Sequence, residues 1–260
     1  MPKITILFDI LLCIVIVITL FFFASSFFNQ QESHAGVAIV FDDNYVDHWF
    51  DTRPLLQKYN ANVTFFVTKF SELNKSQVQK LKILQRDGNE IAYHGNYHVN
   101  VNKYLVSHTV DEYFNNEIIS GLTMMKAQGI DPVDFAYPYS RQNATVTQEL
   151  TKYFHHISMA SEGVPVNNFY YYIPGSNESL IYATDIDTRF NYTQNDFLHV
   201  ILKAKNDNKI VILVAHDTSD TEPSNISIED SYNIHVEDLE GLLKNVSQNQ
   251  LKFYKISELN

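Results

Sequence analysis

A chain of 260 residues, 45% hydrophobic and 13% aromatic, is long enough to bury one large core, and no stretch of it is of low complexity. Its formal charge of −11 is offset by no basic patch, which sets aside nucleic acid and anionic polymers as partners. A neutral polymer, or acidic residues working through a metal ion, fits that balance better.

The first element is the 20-residue apolar stretch "ITILFDILLCIVIVITLFFF", Ile4 to Phe23, whose single charge is Asp9; it is long enough to cross a bilayer as a helix. The long apolar core and the exit "ASSFFNQQE" favour a retained anchor over residues 1–28 rather than a cleaved signal peptide, with residues 29–34 as linker. Lys3 would stay in the cytoplasm, leaving the rest of the chain outside a cell membrane crossed once, or secreted if the segment is cleaved. Seven Asn-x-Ser/Thr sequons, at Asn62, Asn74, Asn143, Asn177, Asn191, Asn225 and Asn245, point the same way, to an exported glycoprotein, although Asn62 falls in a buried strand. The only cysteine, Cys13, lies in the anchor, so the outer domain has no disulfide.

From Ala35 onward, strands are predicted over Gly36–Phe41, Val63–Val67, Glu90–Tyr93, Val133–Tyr137, His156–Met159, Leu180–Ala183, Lys209–Val214 and Leu251–Tyr254. Helical spacing occupies Pro54–Tyr59, Ser76–Arg86, Val110–Gln128, Thr145–Tyr153, Gln194–Asn206 and His235–Gln248. This alternation is α/β, with a parallel sheet and outer helices, and seven or eight repeats favour a closed or nearly closed barrel over residues 35–260.

Reactive groups in a parallel barrel gather at the carboxyl ends of strands. The first strand ends there on Asp42 and Asp43, which a regular pleat would point to opposite faces, so both serve one site only if the pleat breaks. The third strand leads to His94 and His98, with Gly95-Asn96 between them reading as a loop. Two imidazoles and one carboxylate suit Zn²⁺ or a related divalent ion such as Co²⁺, Mn²⁺ or Ni²⁺, and the second carboxylate is left free as a base. "FAYPYSR" carries Pro138-Tyr139 past the fourth strand, and the apolar strand "KIVILVA" stops at His216-Asp217, where a histidine can donate a proton near neutral pH.

At these residues the chain resembles the polysaccharide deacetylase (NodB-homology) family of carbohydrate esterases. The likeness runs in order through "FDD" (Phe41–Asp43), "VTFFV" (Val63–Val67), "GNEIAYHGNYH" (Gly88–His98), "FAYPY" (Phe135–Tyr139) and "VAHD" (Val214–Asp217). It implies a distorted, incomplete (β/α) barrel of about seven parallel strands, and an enzyme that uses a divalent metal to remove N-acetyl groups from an amino-sugar polysaccharide or surface glycan. By family position Asp43, His94 and His98 would hold the metal, Asp42 would be the general base, His216 the general acid, and the backbone N–H of Tyr139 part of the oxyanion hole.

Two departures stand out: Asn44 where many members have Gly, and Ala136 where an Arg usually orients the base. Arg189 in "DIDTRF" is the expected substitute cation for Asp42, with Arg141 as runner-up and a pair with Asp185 or Asp187 as the competing use of Arg189. Two other functions compete: a metal-dependent amidohydrolase acting on a non-sugar amide, and a carbohydrate-binding surface protein with a degenerate site, against which the intact Asp42 and His216 speak.

Overall fold

β1 (Gly36–Asp43) is apolar on both faces because both faces are covered. Val37, Ile39 and Phe41 turn outward into the layer between sheet and helices with Trp49, Phe65 and Tyr93. Ala38 and Val40 turn inward, against Phe66, Ala92, Ala136, Ala183 and Val214. The structure, a computed structural model, describes residues 33–219 and 232–260. The expected anchor, most of the linker and Asn225 lie outside them; among the described residues no helix is long and apolar enough to cross a membrane.

The remaining strands are β2 (Thr64–Val67), β3 (Glu90–Tyr93), β4 (Phe135–Ala136), β5 (Ile157–Ser161), β6 (Tyr171–Tyr172), β7 (Leu180–Asp185), β8 (Ile210–Ala215) and β9 (Lys252–Tyr254). Seven of them form a parallel ring in the order β1-β2-β3-β4-β5-β7-β8, and β8 pairs back onto β1 from Gly36↔Ile210 to Phe41↔Ala215. The barrel is therefore closed, where an incomplete one was expected. It is distorted as expected: β3 and β4 share one register pair, Tyr93↔Phe135, and β7 meets β8 over only Thr184↔Leu213 and Asp185↔Val214. β6, unforeseen in the sequence, runs antiparallel against the start of β8, and β9 pairs with the start of β1.

β9 and the turn Ile256–Glu258 cover the amino-terminal end of the barrel, where Tyr254, Ile256 and Leu259 join the inner apolar cluster. A buried polar layer lies there. Thr64 donates to Glu90 at 2.9 Å, the amides of Ile256 and Ser257 donate to Thr64 and Glu90, and His156 bonds to Asp134 through its amide and its ring.

Helices Lys75–Arg86, Gln194–Asp207 and Val236–Gln248 follow the predicted spacing. Asn74 caps the first in a capping box with Gln77, and Asn143 accepts the amides of Thr145 and Val146 at the head of Ala144–Leu150. Two sequon asparagines are thus helix caps, which gives them a structural use apart from any glycan. The predicted helix Val110–Gln128 is interrupted: α-helical Val110–Tyr113 and Ser120–Ala127 flank a π-helical turn, Phe114–Ile119.

Candidate active site

Asp42 keeps the inward parity of Ala38 and Val40, so the strand itself delivers its carboxyl to the barrel mouth, only 7% exposed. Asp43 should then face outward, but its backbone turns to φ 90°, and that break swings its carboxylate back into the same cavity. His94 follows β3 on the inner parity, 2% exposed, and His98 sits in the next loop at φ 58°. Lys69, Tyr139 and Ser140, each just past a strand's carboxyl end, also have positive φ. Non-glycine residues in this region cost on the order of 1 kcal/mol or more each and tend to cluster at functional sites.

Asp43 Oδ1 lies 3.2 Å from His98 Nε2 and 3.7 Å from His94 Nε2, and the two imidazole nitrogens are 3.2 Å apart. Four ligands at about 2.0–2.1 Å around a tetrahedral centre would be separated by about 3.3 Å. The triangle matches one face of such a site. His94 Nδ1 is 2.9 Å from the Ala136 carbonyl, which can only accept, so Nδ1 carries the proton and Nε2 offers its lone pair to the triangle. Burial, reinforced by His98, pushes His94 down to about 3, keeping the ring neutral. Burial would raise Asp43, but the His98 hydrogen bond and the neighbouring imidazoles outweigh it and hold the carboxyl well below the usual range. A neutral His94 with its lone pair turned into the triangle and an ionised Asp43 are the states a divalent ion requires, and His98 Nε2 is a third donor atom of the right kind, so the residues fit a metal.

The same cavity holds two groups that are both raised, for different reasons. Asp42 is pushed up to about 8, by burial first and by Asp43, Asp185 and Asp187 after it, with His216 opposing; its Oδ1 has no hydrogen-bond partner. His216 follows β8, and its Nδ1 meets Asp187 Oδ2 at 2.7 Å while its amide donates to Asp187 Oδ1 at 3.1 Å. Burial would lower His216, but Asp187, Asp185 and Asp43 together raise it well above the ordinary histidine value. Trp49 Nε1 fixes the same turn by donating to the His216 carbonyl at 2.8 Å.

The cavity of about 200 Å³ at the mouth is lined by Asp42, Asp43, His94, His98, Tyr139 and His216, among others, so six of the seven expected site residues come together. Tyr139 is 60% exposed, with its ring 4.6 Å from that of His98. Arg189 is the exception. Its guanidinium goes to Asp185 at 3.2 Å and Glu162 at 3.5 Å, packed over the Tyr232 ring, and no ion pair joins it to Asp42. Asp185, which ends β7 four residues before Arg189, takes the guanidinium in place of Asp42. Arg141 is exposed at the surface. Ala136, in place of the usual arginine, packs its methyl group into the barrel interior.

Sequence reasoning gave Asp185 and Asp187 no role of their own. β7 runs two residues further than predicted and ends on Asp185, so an apolar run stopping at a carboxylate, the signal used for β1, was present there too.

Residues 29–156 match the family model described as polysaccharide deacetylase. By that match, residues 29–156 belong to the polysaccharide deacetylase family. Its fold is similar to the Xyl-CE4 domain of a multidomain xylanase from the hindgut metagenome of Trinervitermes trinervoides, at 18% identity and TM-score 0.55, over 86% of this chain and 88% of that one. It is also similar to the chitin deacetylase of the fungal pathogen Colletotrichum lindemuthianum, at 15% identity and TM-score 0.56, over 85% of each chain. The peptidoglycan deacetylase PdaC of Bacillus subtilis follows at 15% identity and TM-score 0.53, over 87% of this chain and 91% of that one. None of the curated proteins matches the chain.

Proposed function

We propose that the chain is a metal-dependent deacetylase that hydrolyses N-acetyl groups on an amino-sugar polymer. The observation that carries this reading is that Asp42 and His216 line the same cavity as the Asp43–His94–His98 triangle. A divalent ion held by that triangle, Zn²⁺ by the chemistry of the donor set, would polarise the amide carbonyl and lower the pKa of water.

The chain's own residues then divide the proton traffic. Asp42 takes a proton from the attacking water, a task for which its carboxyl must be ionised; a cation beside it offsets the burial that otherwise lifts it to about 8. Asp187 binds the Nδ1 side of His216 and keeps the ring charged, leaving Nε2–H to protonate the departing amine. The Tyr139 amide, at the left-handed turn over His98, is the chain's proposed donor to the tetrahedral oxyanion. Water and amide leave as acetate and a free amine.

A polymer is favoured over a small amide because the mouth does not end at the cavity. A second groove, of about 460 Å³, shares His98 and Tyr139 with it and continues along Asn100, Lys103, Tyr104 and His108. Exposed Tyr97 and Tyr139 rings suit the faces of sugar rings. The deacetylases of similar fold are described as acting on chitin and peptidoglycan, which belong to this substrate class.

Acetate release by the full chain from a panel of N-acetylated glycan oligomers, before and after chelation, tests the reading. Release that stops on chelation and returns with Zn²⁺ supports it. A zinc-loaded chain that releases no acetate from any of them, or prefers small cyclic amides, overturns it.

A further inference from the structure

The π-helical turn Phe114–Ile119 has an identifiable cause. Tyr93 donates its hydroxyl to the Glu117 carbonyl, the Asn96 amide donates to the same carbonyl at 3.1 Å, and Asn96 Nδ2 donates to the Asn116 carbonyl at 3.0 Å. Two successive helix carbonyls are thereby diverted to the segment carrying His94 and His98, and the helix widens by one residue per turn where they leave its ladder. Gly121 belongs to the same arrangement: a Cβ there would collide with the Tyr93 hydroxyl.

The widened turn aims the Glu117 side chain beneath the loop. Glu117 is 0% exposed, and the Tyr97 amide donates to both its oxygens, at 3.1 and 3.2 Å; the amides of Asn96 and Val99 face it as well. The carboxylate therefore gathers amides from both sides of His98. Gly95, at φ 85°, has no room for a side chain, since a Cβ would lie 2.9 Å from Glu117 Oε2.

We propose that Glu117 is a positioning residue for the metal site: its buried carboxylate templates the loop Gly95–Val99 and holds His98, in its left-handed conformation, with Nε2 turned toward His94 and Asp43. This rests on the metal-site reading above and adds to it a part of the chain that touches neither ion nor substrate. A loop histidine with positive φ has no regular structure to keep it in place, and a carboxylate accepting consecutive backbone amides supplies that restraint. Groups that orient metal ligands in this way typically contribute 10–100-fold to affinity.

The test compares two full-length variants by chelator competition for Zn²⁺, by the absorption spectrum of the Co²⁺ form, and by the melting temperature of the metal-free chain. Glu117→Gln keeps the shape but replaces one acceptor oxygen with an NH₂ group facing the amides. Met125→Ala opens a cavity in the adjoining Ser120–Ala127 helix, away from the loop. Glu117→Gln is expected to weaken Zn²⁺ binding roughly 10–100-fold and to change the Co²⁺ spectrum. Met125→Ala should lower the melting temperature at least as much while keeping Zn²⁺ affinity within about twofold of wild type and the spectrum unaltered. Equal Zn²⁺ affinity in wild type and Glu117→Gln, or an equal loss in both variants, overturns the positioning role alone. A wild-type chain that takes up no metal overturns the metal-site reading and this inference with it.

Discussion

The two ends of the barrel each hold buried carboxyl groups beside histidine, and burial pushes acids up at both: Asp42 at the mouth and Glu90 at the floor reach about 8, with Asp185 at the mouth at about 7. The surroundings differ. At the floor, Asp134 adjoins Glu90 and adds to the rise, so a protonated Glu90 can share its hydrogen with Asp134, while Thr64 and the Ser257 amide satisfy the other oxygen. At the mouth, Asp42 Oδ1, like Glu90 Oε1, has no hydrogen-bond partner, but Asp42 lines a cavity that also holds three convergent donor atoms. A raised acid thus marks burial in both places, and only the one that opens on a cavity beside convergent donor atoms is suited to chemistry.

The comparison breaks most completely if the mouth is not a metal site. The double variant His94→Ala, His98→Ala should retain no ion by elemental analysis and lose acetate release to background. Next in size, Asp42→Asn should keep its metal and lower kcat by roughly 10²–10⁴, whereas Glu90→Gln at the floor should leave kcat within a few-fold of wild type. Parity between those two variants would erase the distinction drawn here.

A smaller effect sharpens the role of Asp187. Because Asp187 helps raise His216, and His216 must be protonated to act as an acid, Asp187→Asn should move the alkaline limb of the pH–rate profile to lower pH and reduce kcat by up to roughly 10². A limb that stays in place would separate His216 from proton donation.

The last effect is thermodynamic and leaves catalysis untouched. Glu90 titrates near 4.5 when unfolded and about 8 when folded, so through that interval the folded state keeps a proton the unfolded chain has released. Stability should fall as pH rises across the interval, and Glu90→Gln should flatten the slope measured by urea unfolding at a series of pH values. Identical slopes would remove Glu90 from the floor's titration.

Much of the candidate site was legible because buried parallel strands read as apolar runs and their ends as abrupt polar stops; "AIVFDD" and "VILVAHD" each announce a strand and the polar residues it delivers to the mouth. What could not be read depends on contacts between distant segments. Closure through β1–β8 pairing joins residues more than 170 positions apart, and the two-residue β6 has no periodicity to detect. The π turn is imposed on a good helical sequence by Tyr93 and Asn96 from outside it. Arg189 was assigned to the wrong aspartate because distance along the chain says nothing of inward reach, and Asp185 was nearer.

The floor closed by β9 and the turn Ile256–Glu258 makes the barrel a cul-de-sac. In the proposed reaction, acetate set free in the mouth would have no rear exit and would depart past the groove proposed for the polymer. On that reading, turnover on long glycans would depend on how readily the polymer lifts or slides from the Tyr139 rim, and acetate is expected to inhibit by competing with glycan for the same doorway.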